Sequence, residues 1–256
     1  MRLALTAAAL ACGGAAWAGE GTGVSLPPFL EDRLVYYHSF ASATPEVNRA
    51  GAEPRSRVVV GEGGVRGDCL LGTKPQPLVL RSDALSPHRP LSVLFWWALA
   101  EEPTAETCFG LFHLSGRGMV SHFSRGKGQW CALEKPAGIL QVWNFPGIRN
   151  VNGIYDRDWR KSVSLKKGVW HHAAMVFHGA SLVEVYTDGR RAWSVRLMGR
   201  PFAAEDKVQD LVLGSRTAMP VALDEVIILR RALAAAEVRR YVAIITQMRA
   251  VRYPED

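Results

Sequence analysis

The sequence predicts an all-β domain, two antiparallel sheets packed as a sandwich and followed by one short C-terminal helix. Three observations carry this reading. Short runs rich in Val, Ile, Leu and aromatic residues recur along the chain, and Gly, Pro, Asn or Asp punctuates nearly every gap. A length of 256 residues is enough for two sheets with a buried core between them. Helical spacing of apolar residues is clear only near the C-terminus.

The chain opens with "MRLALTAAALACGGAAWAGEG". Arg2 supplies a positive end, Leu3 to Ala11 an apolar stretch, and Ala16-Trp17-Ala18 a small-x-small cleavage site, so residues 1–18 read as a secretory signal. Cys12 in "ALAC" offers lipid attachment as an alternative, although Leu10 stands where such boxes usually carry a small residue. Residues 19–32 read as an extended leader, because Pro27-Pro28 discourages helix. No stretch reaches the ~20 apolar residues of a membrane helix. The expectation is a protein exported to the periplasm or medium, with no transmembrane segment.

Residues 33–250 read as the folded domain. Strands are expected at "RLVYYHSF" (33–40), "PLVLR" (77–81), "LSVLFWWAL" (91–99), "TCFGLFHL" (107–114), "GMVSHF" (118–123), "QWCAL" (129–133) and "GILQVWNF" (138–145). They continue at "VWHHAAMVF" (169–177), "LVEVYT" (182–187), "AWSVRL" (192–197), "DLVLGS" (210–215) and "VALDEVIIL" (221–229). From Ala234 to Arg249, Val238, Tyr241, Val242, Ile245 and Met248 fall on one helical stripe, while Arg239, Arg240 and Arg249 take other faces.

The formal charge is +7 and the sequence pI about 9.5. That favours acidic glycans, head groups or wall polymers as partners. No Lys/Arg block with interleaved aromatics occurs, which argues against nucleic acid. Cys69, Cys108 and Cys131 remain after cleavage, an odd number for an oxidising compartment. A Cys108–Cys131 bridge with Cys69 as a thiol is one arrangement. Its weakness is that strands two apart in a regular meander hold their Cα atoms ~9.5 Å apart, too far for a disulfide. Cys108, Cys131, His113 and His122 could instead gather zinc, but no CxxC or HxxxH spacing supports it.

The stretch "GVWHHAAMVFHGASLVEVYTDGRR" places His171, His172 and His178 close together in sequence. In a strand His171, Ala173, Met175 and Phe177 take one face, and His172, Ala174, Val176 and His178 the other. His172 and His178 would lie ~20 Å apart. These histidines therefore do not make a metal site by themselves. Asp188-Gly189 marks a tight hairpin, since a primed turn needs residues that accept positive φ.

The same run resembles the central hairpin of the LamG-like, concanavalin A-like lectin/glucanase jelly rolls, in which Trp-His-His opens a strand and an Asp-Gly turn follows "VYT". "LSVLFWWAL" resembles the buried early strand of that family, and "LVLGSR…VALDEVIILRRALAAAEV" its closing strands and final helix. The likeness covers about residues 33 to 242. It implies that Trp170, His171 and His172 pack and hydrogen-bond rather than catalyse. The family's last helix commonly starts at Ser or Thr; Ala234 takes that place here, which removes a cap of ~1 kcal/mol. Glu237 still brings negative charge to the first turn.

Such sandwiches include binding modules, glycoside hydrolases and lyases, so the site must decide. A hydrolase needs two carboxylates ~5 to 9.5 Å apart across one cleft. No alternating acid pattern occurs, Asp224 and Glu225 are expected on opposite faces, and GxSxG is absent. Asp224 is a candidate calcium ligand, with a hydrogen-bonding structural role as the alternative. The longest irregular insertion is "WNFPGIRNVNGIYDRDWRK" (143–161). Trp143, Tyr155 and Trp159 could stack on sugar rings; Asn144, Asn152, Asp156 and Asp158 could bond hydroxyls; Arg149 and Arg157 could hold an acidic group. The alternative for each is an aromatic or polar residue that pins the loop to the sandwich. The expected function is an exported, non-catalytic domain that binds a glycan or surface polymer. A structural or protein-interaction domain of an envelope assembly comes second, and a polysaccharide-cleaving enzyme third. No cofactor is required by this reading, and calcium remains open.

Overall fold

A computed structural model describes residues 26–54, 58–71, 77–86, 88–102, 108–114, 119–124, 139–143, 166–179, 182–196, 210–214 and 220–252. Among these lie β1 (Leu34–His38), β2 (Val47–Asn48), β3 (Glu53–Pro54), β4 (Val60–Glu62), β5 (Asp68–Leu70), β6 (Leu78–Arg81) and β7 (Leu91–Leu99). They are followed by β8 (Cys108–Leu114), β9 (Met119–Ser124), β10 (Ile139–Trp143), β11 (His171–Phe177), β12 (Leu182–Thr187), β13 (Arg190–Arg196), β14 (Leu211–Leu213) and β15 (Val221–Leu229). Helix α1 spans Ala235–Arg252.

The strands form two antiparallel sheets. The first runs β13-β12-β11-β7-β15-β1-β2, with β5 paired to β15 and β4 to β5. The second runs β10-β9-β8-β14-β6-β3. Leu78, Leu80, Phe112, Leu211 and Leu213 of the second sheet meet Phe95, Trp97, Met175, Phe177 and Ile228 of the first in the sandwich core. A second apolar layer lies on the far side of the first sheet, where Leu94, Trp96, Ala174, Val176 and Ile227 pack under Val238, Tyr241 and Ile245 of α1. This third layer explains why "LSVLFWWAL" does not alternate. Every residue of β7 is buried, as in strands covered on both faces.

Helix α1 is held by packing, as Val238, Tyr241 and Ile245 are wholly buried. Burial of side chains of this size contributes roughly 2 kcal/mol each. Its start keeps half of a capping box: the Glu237 carboxylate accepts from the Ala234 backbone N–H at 2.8 Å. Met248, expected on the buried stripe, is 45% exposed, whereas Ile245, three residues earlier, is wholly buried. Among the described residues no helix is long and apolar enough to cross a membrane.

The leader also differs from expectation where it is described. From Leu26 it is not extended throughout: Pro28–Leu30 form a 3₁₀ turn, and Leu26 and Leu30 enter the layer beneath α1. Proline tolerates the first helical position because it lacks only an N–H that would be unbonded there. Arg231 clasps this turn to the helix, donating to the Phe29 and Asp32 carbonyls and to Glu237. The short strands β2 to β5 were not anticipated from sequence. The expected strand at 129–133 lies outside the described residues, as does Cys131. Cys69 is a buried free thiol.

Candidate functional site

The histidine motif is structural in each of its parts. Asp188 and Gly189 adopt φ of 48° and 74°, the left-handed pair of a two-residue primed hairpin between β12 and β13. This turn brings the Asp188 carboxylate back over β11, where it meets His171 Nδ1 at 3.0 Å and accepts from the His172 backbone N–H at 2.8 Å. Trp170 Nε1 donates to the Gly63 carbonyl at 3.0 Å. His178 Nε2 pairs with Glu184 at 2.9 Å, and Glu184 also accepts from Tyr186 and Arg191. His172 is fully buried between the rings of Trp96 and Tyr241, and burial pushes its imidazole down to about 4. The three side chains thus have three different surroundings and do not converge.

Asp224 and Glu225 do not face opposite sides as the alternation suggested. A bulge shifts the β15–β7 register between Asp224 and Ile227, and Glu225 takes φ of 50°. Both carboxylates consequently turn toward the loop at residues 63–67. Asp224 Oδ2 accepts from the N–H groups of Val65 at 2.7 Å and Arg66 at 3.3 Å, and Oδ1 from Glu225 N–H at 2.7 Å. Glu225 accepts from Tyr37 Oη and pairs with the Arg66 guanidinium at 3.3 Å. Burial, aided by the neighbouring Glu225, holds the Asp224 carboxyl well above the usual carboxylate range. Burial likewise raises Glu225, against the pull of Arg66.

This arrangement is a clamp on the loop. Backbone N–H donors occupy the oxygens that a cation would need, so the residues around Asp224 do not fit a calcium cage of converging oxygens. Gly64 allows the clamp to close, since a Cβ there would sit 2.6 Å from Asp224 Oδ2 and 2.3 Å from the Asp68 carbonyl oxygen. Among the described residues, no group of three or more His, Cys, Asp or Glu side chains is gathered to hold a metal. Arg66, Tyr37 and Gly64 were not singled out in the sequence; the Gly63-Gly64 doublet was the available signal.

Of the candidate ligand residues, only Trp143 lies within the described residues, as the last residue of β10. Asn144, Arg149, Asn152, Tyr155, Asp156, Arg157, Asp158 and Trp159 lie outside them. The register nevertheless places Trp143. Val79 pairs with Val212, Val212 with His113, His113 with Val120, and Val120 with Trp143. Because Leu211 and Leu213 on either side of Val212 belong to the core, this row lies on the opposite, outer face of the second sheet. Gly110, His122 and Gln141 form the next row on that face. Arg81 and Asp210, paired at 3.2 Å, mark its β6–β14 side, and Val212 is itself buried there. Gln141 was read only as a strand residue, and His113 and His122 only as zinc candidates with Cys108 and Cys131; the register pairs His113 with Val120 and His122 with Gly110 rather than with each other. The alternation of Ile139, Gln141 and Trp143 in "GILQVWNF" was the signal for a shared face.

A family model described as the concanavalin A-like lectin/glucanases superfamily, Laminin_G_3, matches residues 76–239. No curated protein matches the chain. Among solved structures, domain 4 of AbnA, an extracellular arabinanase from Geobacillus stearothermophilus solved with arabinotriose, aligns at a TM-score of 0.58 and 15% identity. The alignment covers 82% of this chain and 98% of that one. The binding domain of botulinum neurotoxin DC, in complex with rat synaptotagmin II, aligns at 0.58 and 8% identity over 84% of this chain and 52% of that one. Trypanosoma rangeli sialidase aligns at 0.57 and 15% identity, covering 88% of this chain and 34% of that one. This chain thus spans about half or less of the last two, and at these identities the likeness concerns the fold. With its sandwich, its closing helix and a family match over residues 76–239, the chain belongs to the concanavalin A-like lectin/glucanases superfamily.

Proposed function

We propose that the protein is an exported, non-catalytic domain that binds a glycan or surface polymer. The ligand would lie along the β9–β10 end of the second sheet's outer face. The observation that carries this reading is the in-register row ending at Trp143. The row puts Trp143 in register with Val120 and, one strand further, His113, next to the row of Gly110, His122 and Gln141, and the polar and aromatic segment 144–161 follows directly in sequence. An aromatic ring offers a stacking surface for a sugar, and imidazole and amide groups offer both donors and acceptors to its hydroxyls. Domain 4 of the arabinanase, a structure in complex with arabinotriose, supports a sugar as the ligand class. The buried clamp supports the absence of catalysis, because Asp224 and Glu225 are bonded within the fold rather than facing a cleft.

Binding to a glycan array tests the proposal. Trp143→Ala, Trp159→Ala and Gln141→Ala should each weaken glycan binding about fivefold or more, while the thermal midpoint stays nearly unchanged. Arg149→Ala should matter for acidic glycans, and its effect should shrink as salt rises. If no glycan binds at any salt concentration, or if Trp143→Ala unfolds the domain, the protein-interaction reading replaces it. Release of reducing ends from a polysaccharide would establish an enzyme instead.

A further inference from the structure

The layer that covers the first sheet rests on a titratable group. His172 lies at the contact between β11 and α1 and is wholly buried. Its ring stands edge-on to Trp96 of β7 at 5.5 Å and to Tyr241 of α1 at 5.6 Å between centroids. Neither ring nitrogen, nor Trp96 Nε1, nor Tyr241 Oη has a hydrogen-bond partner among the described residues. Helix α1 is anchored beside it by few wholly buried side chains, among them Val238, Tyr241 and Ile245.

We propose that His172 is an acid-sensitive latch: its neutral imidazole seals the docked helix, and its protonation releases α1 from the outer face of the first sheet. An imidazolium at this position would need hydrogen-bond acceptors, and the two aromatic walls present none except the Tyr241 hydroxyl. Undocking the helix admits water to both nitrogens. The sandwich core lies on the other side of the sheet and is untouched by this opening.

The charged and titratable groups around the latch, among the described residues, come from four elements, the hairpin and the loop at residues 63–67. From the hairpin comes Asp188, which favours the imidazolium and is already engaged with His171. From α1 come Tyr241 and, beside Gly189, Arg239. From β12 comes Tyr186, whose hydroxyl donates to Glu184. Beyond Trp96 and Tyr241 lie Asp224, Glu225, Arg66 and Tyr37. Burial lowers His172 against the attraction of Asp188, so desolvation decides the outcome. The unfolded or undocked imidazole takes a proton from about pH 6.5 downward, whereas the docked one resists until about 4. Docking is therefore at full strength above that window and weakens through it as the pH falls. Asp224 and Glu225 have the opposite sense, since their raised carboxyls take protons more readily in the fold than outside it.

Hydrogen exchange read by mass spectrometry, segment by segment from pH 7 to pH 4.5 and corrected for intrinsic rates, tests the latch. Protection of α1 should fall relative to β7 by up to about tenfold per pH unit below 6.5, the slope of a single proton. His172→Phe should abolish that differential loss. Carbon-detected titration of the wild-type imidazole provides the same test without a variant, with His172 titrating in step with α1 release. If α1 and β7 lose protection in parallel, or if His172→Phe leaves the differential loss intact, the latch does not exist. The test does not depend on what the second sheet binds.

Discussion

Replacing Gly64 with alanine should cost the fold about 3–5 kcal/mol, far more than the intrinsic difference between glycine and alanine. The added Cβ would lie 2.3 Å from the Asp68 carbonyl oxygen and 2.6 Å from Asp224 Oδ2. One of these is backbone and the other a buried carboxylate held by three N–H groups, so neither yields cheaply. Relieving the clash means moving the loop away from Oδ2, which weakens the bonds from Val65 and Arg66. Leaving a buried N–H donor without its acceptor costs about 1–3 kcal/mol, and two such donors are at stake. Urea unfolding followed by tryptophan fluorescence should show a lower midpoint with an unchanged slope. Gly63→Ala is the matched control. Its φ is +98° but nothing lies within 4 Å of its Cβ, so it should suffer only backbone strain of about 1–3 kcal/mol. In a double-mutant cycle, Asp224→Ala should absorb much of the Gly64→Ala effect. A Gly64→Ala variant no less stable than Gly63→Ala, or fully additive with Asp224→Ala, would refute the clamp.

Arg231→Ala removes the bonds to Phe29, Asp32 and Glu237 at once, and should lower stability by about 2–3 kcal/mol. Limited proteolysis should then cut first near residues 26–33. Burial, with Asp224 and Asp68 nearby, pushes the Cys69 thiol up to about 12, so it should resist iodoacetamide at pH 8 until the protein is unfolded. The same peptide maps report on Cys108 and Cys131: a bridge leaves neither alkylated under non-reducing conditions, and alkylation of both excludes it. Intact mass of the exported protein should place Gly19 at its terminus, whereas a diacylglycerol adduct on Cys12 would show a lipoprotein.

Long strands were legible because their composition and their surroundings agree. "VALDEVIIL" and "LVEVYT" fall on β15 and β12 residue for residue, and Asp188-Gly189 announced its own turn. Strands β2 to β5 carry two or three residues each, too few for a period of two to show. They include Gly61, Pro54 and charged residues, and pairing with neighbouring strands defines them rather than propensity. The stripe on α1 was readable as a helix signal, but how much of it would be buried was not. Val238 and Met248 fall on the same apolar stripe, yet one is wholly buried and the other 45% exposed.

The acidic pair shows why site residues were harder to read than strands. Adjacent residues of a regular strand point apart, and that rule put Asp224 and Glu225 on opposite faces. It fails here because one residue too many is fitted opposite β7, and Glu225 takes a left-handed conformation that its own side chain does not favour. Strain at Glu225 is offset by long-range partners, Tyr37 and Arg66, that sit 188 and 159 residues away in the chain. No local window contains them. Such a pair, seen in sequence, resembles catalytic carboxylates or cation ligands. In the fold it is consumed by the loop it holds, and the ligand face proposed here, with Trp143 in register on the second sheet, is built from other residues.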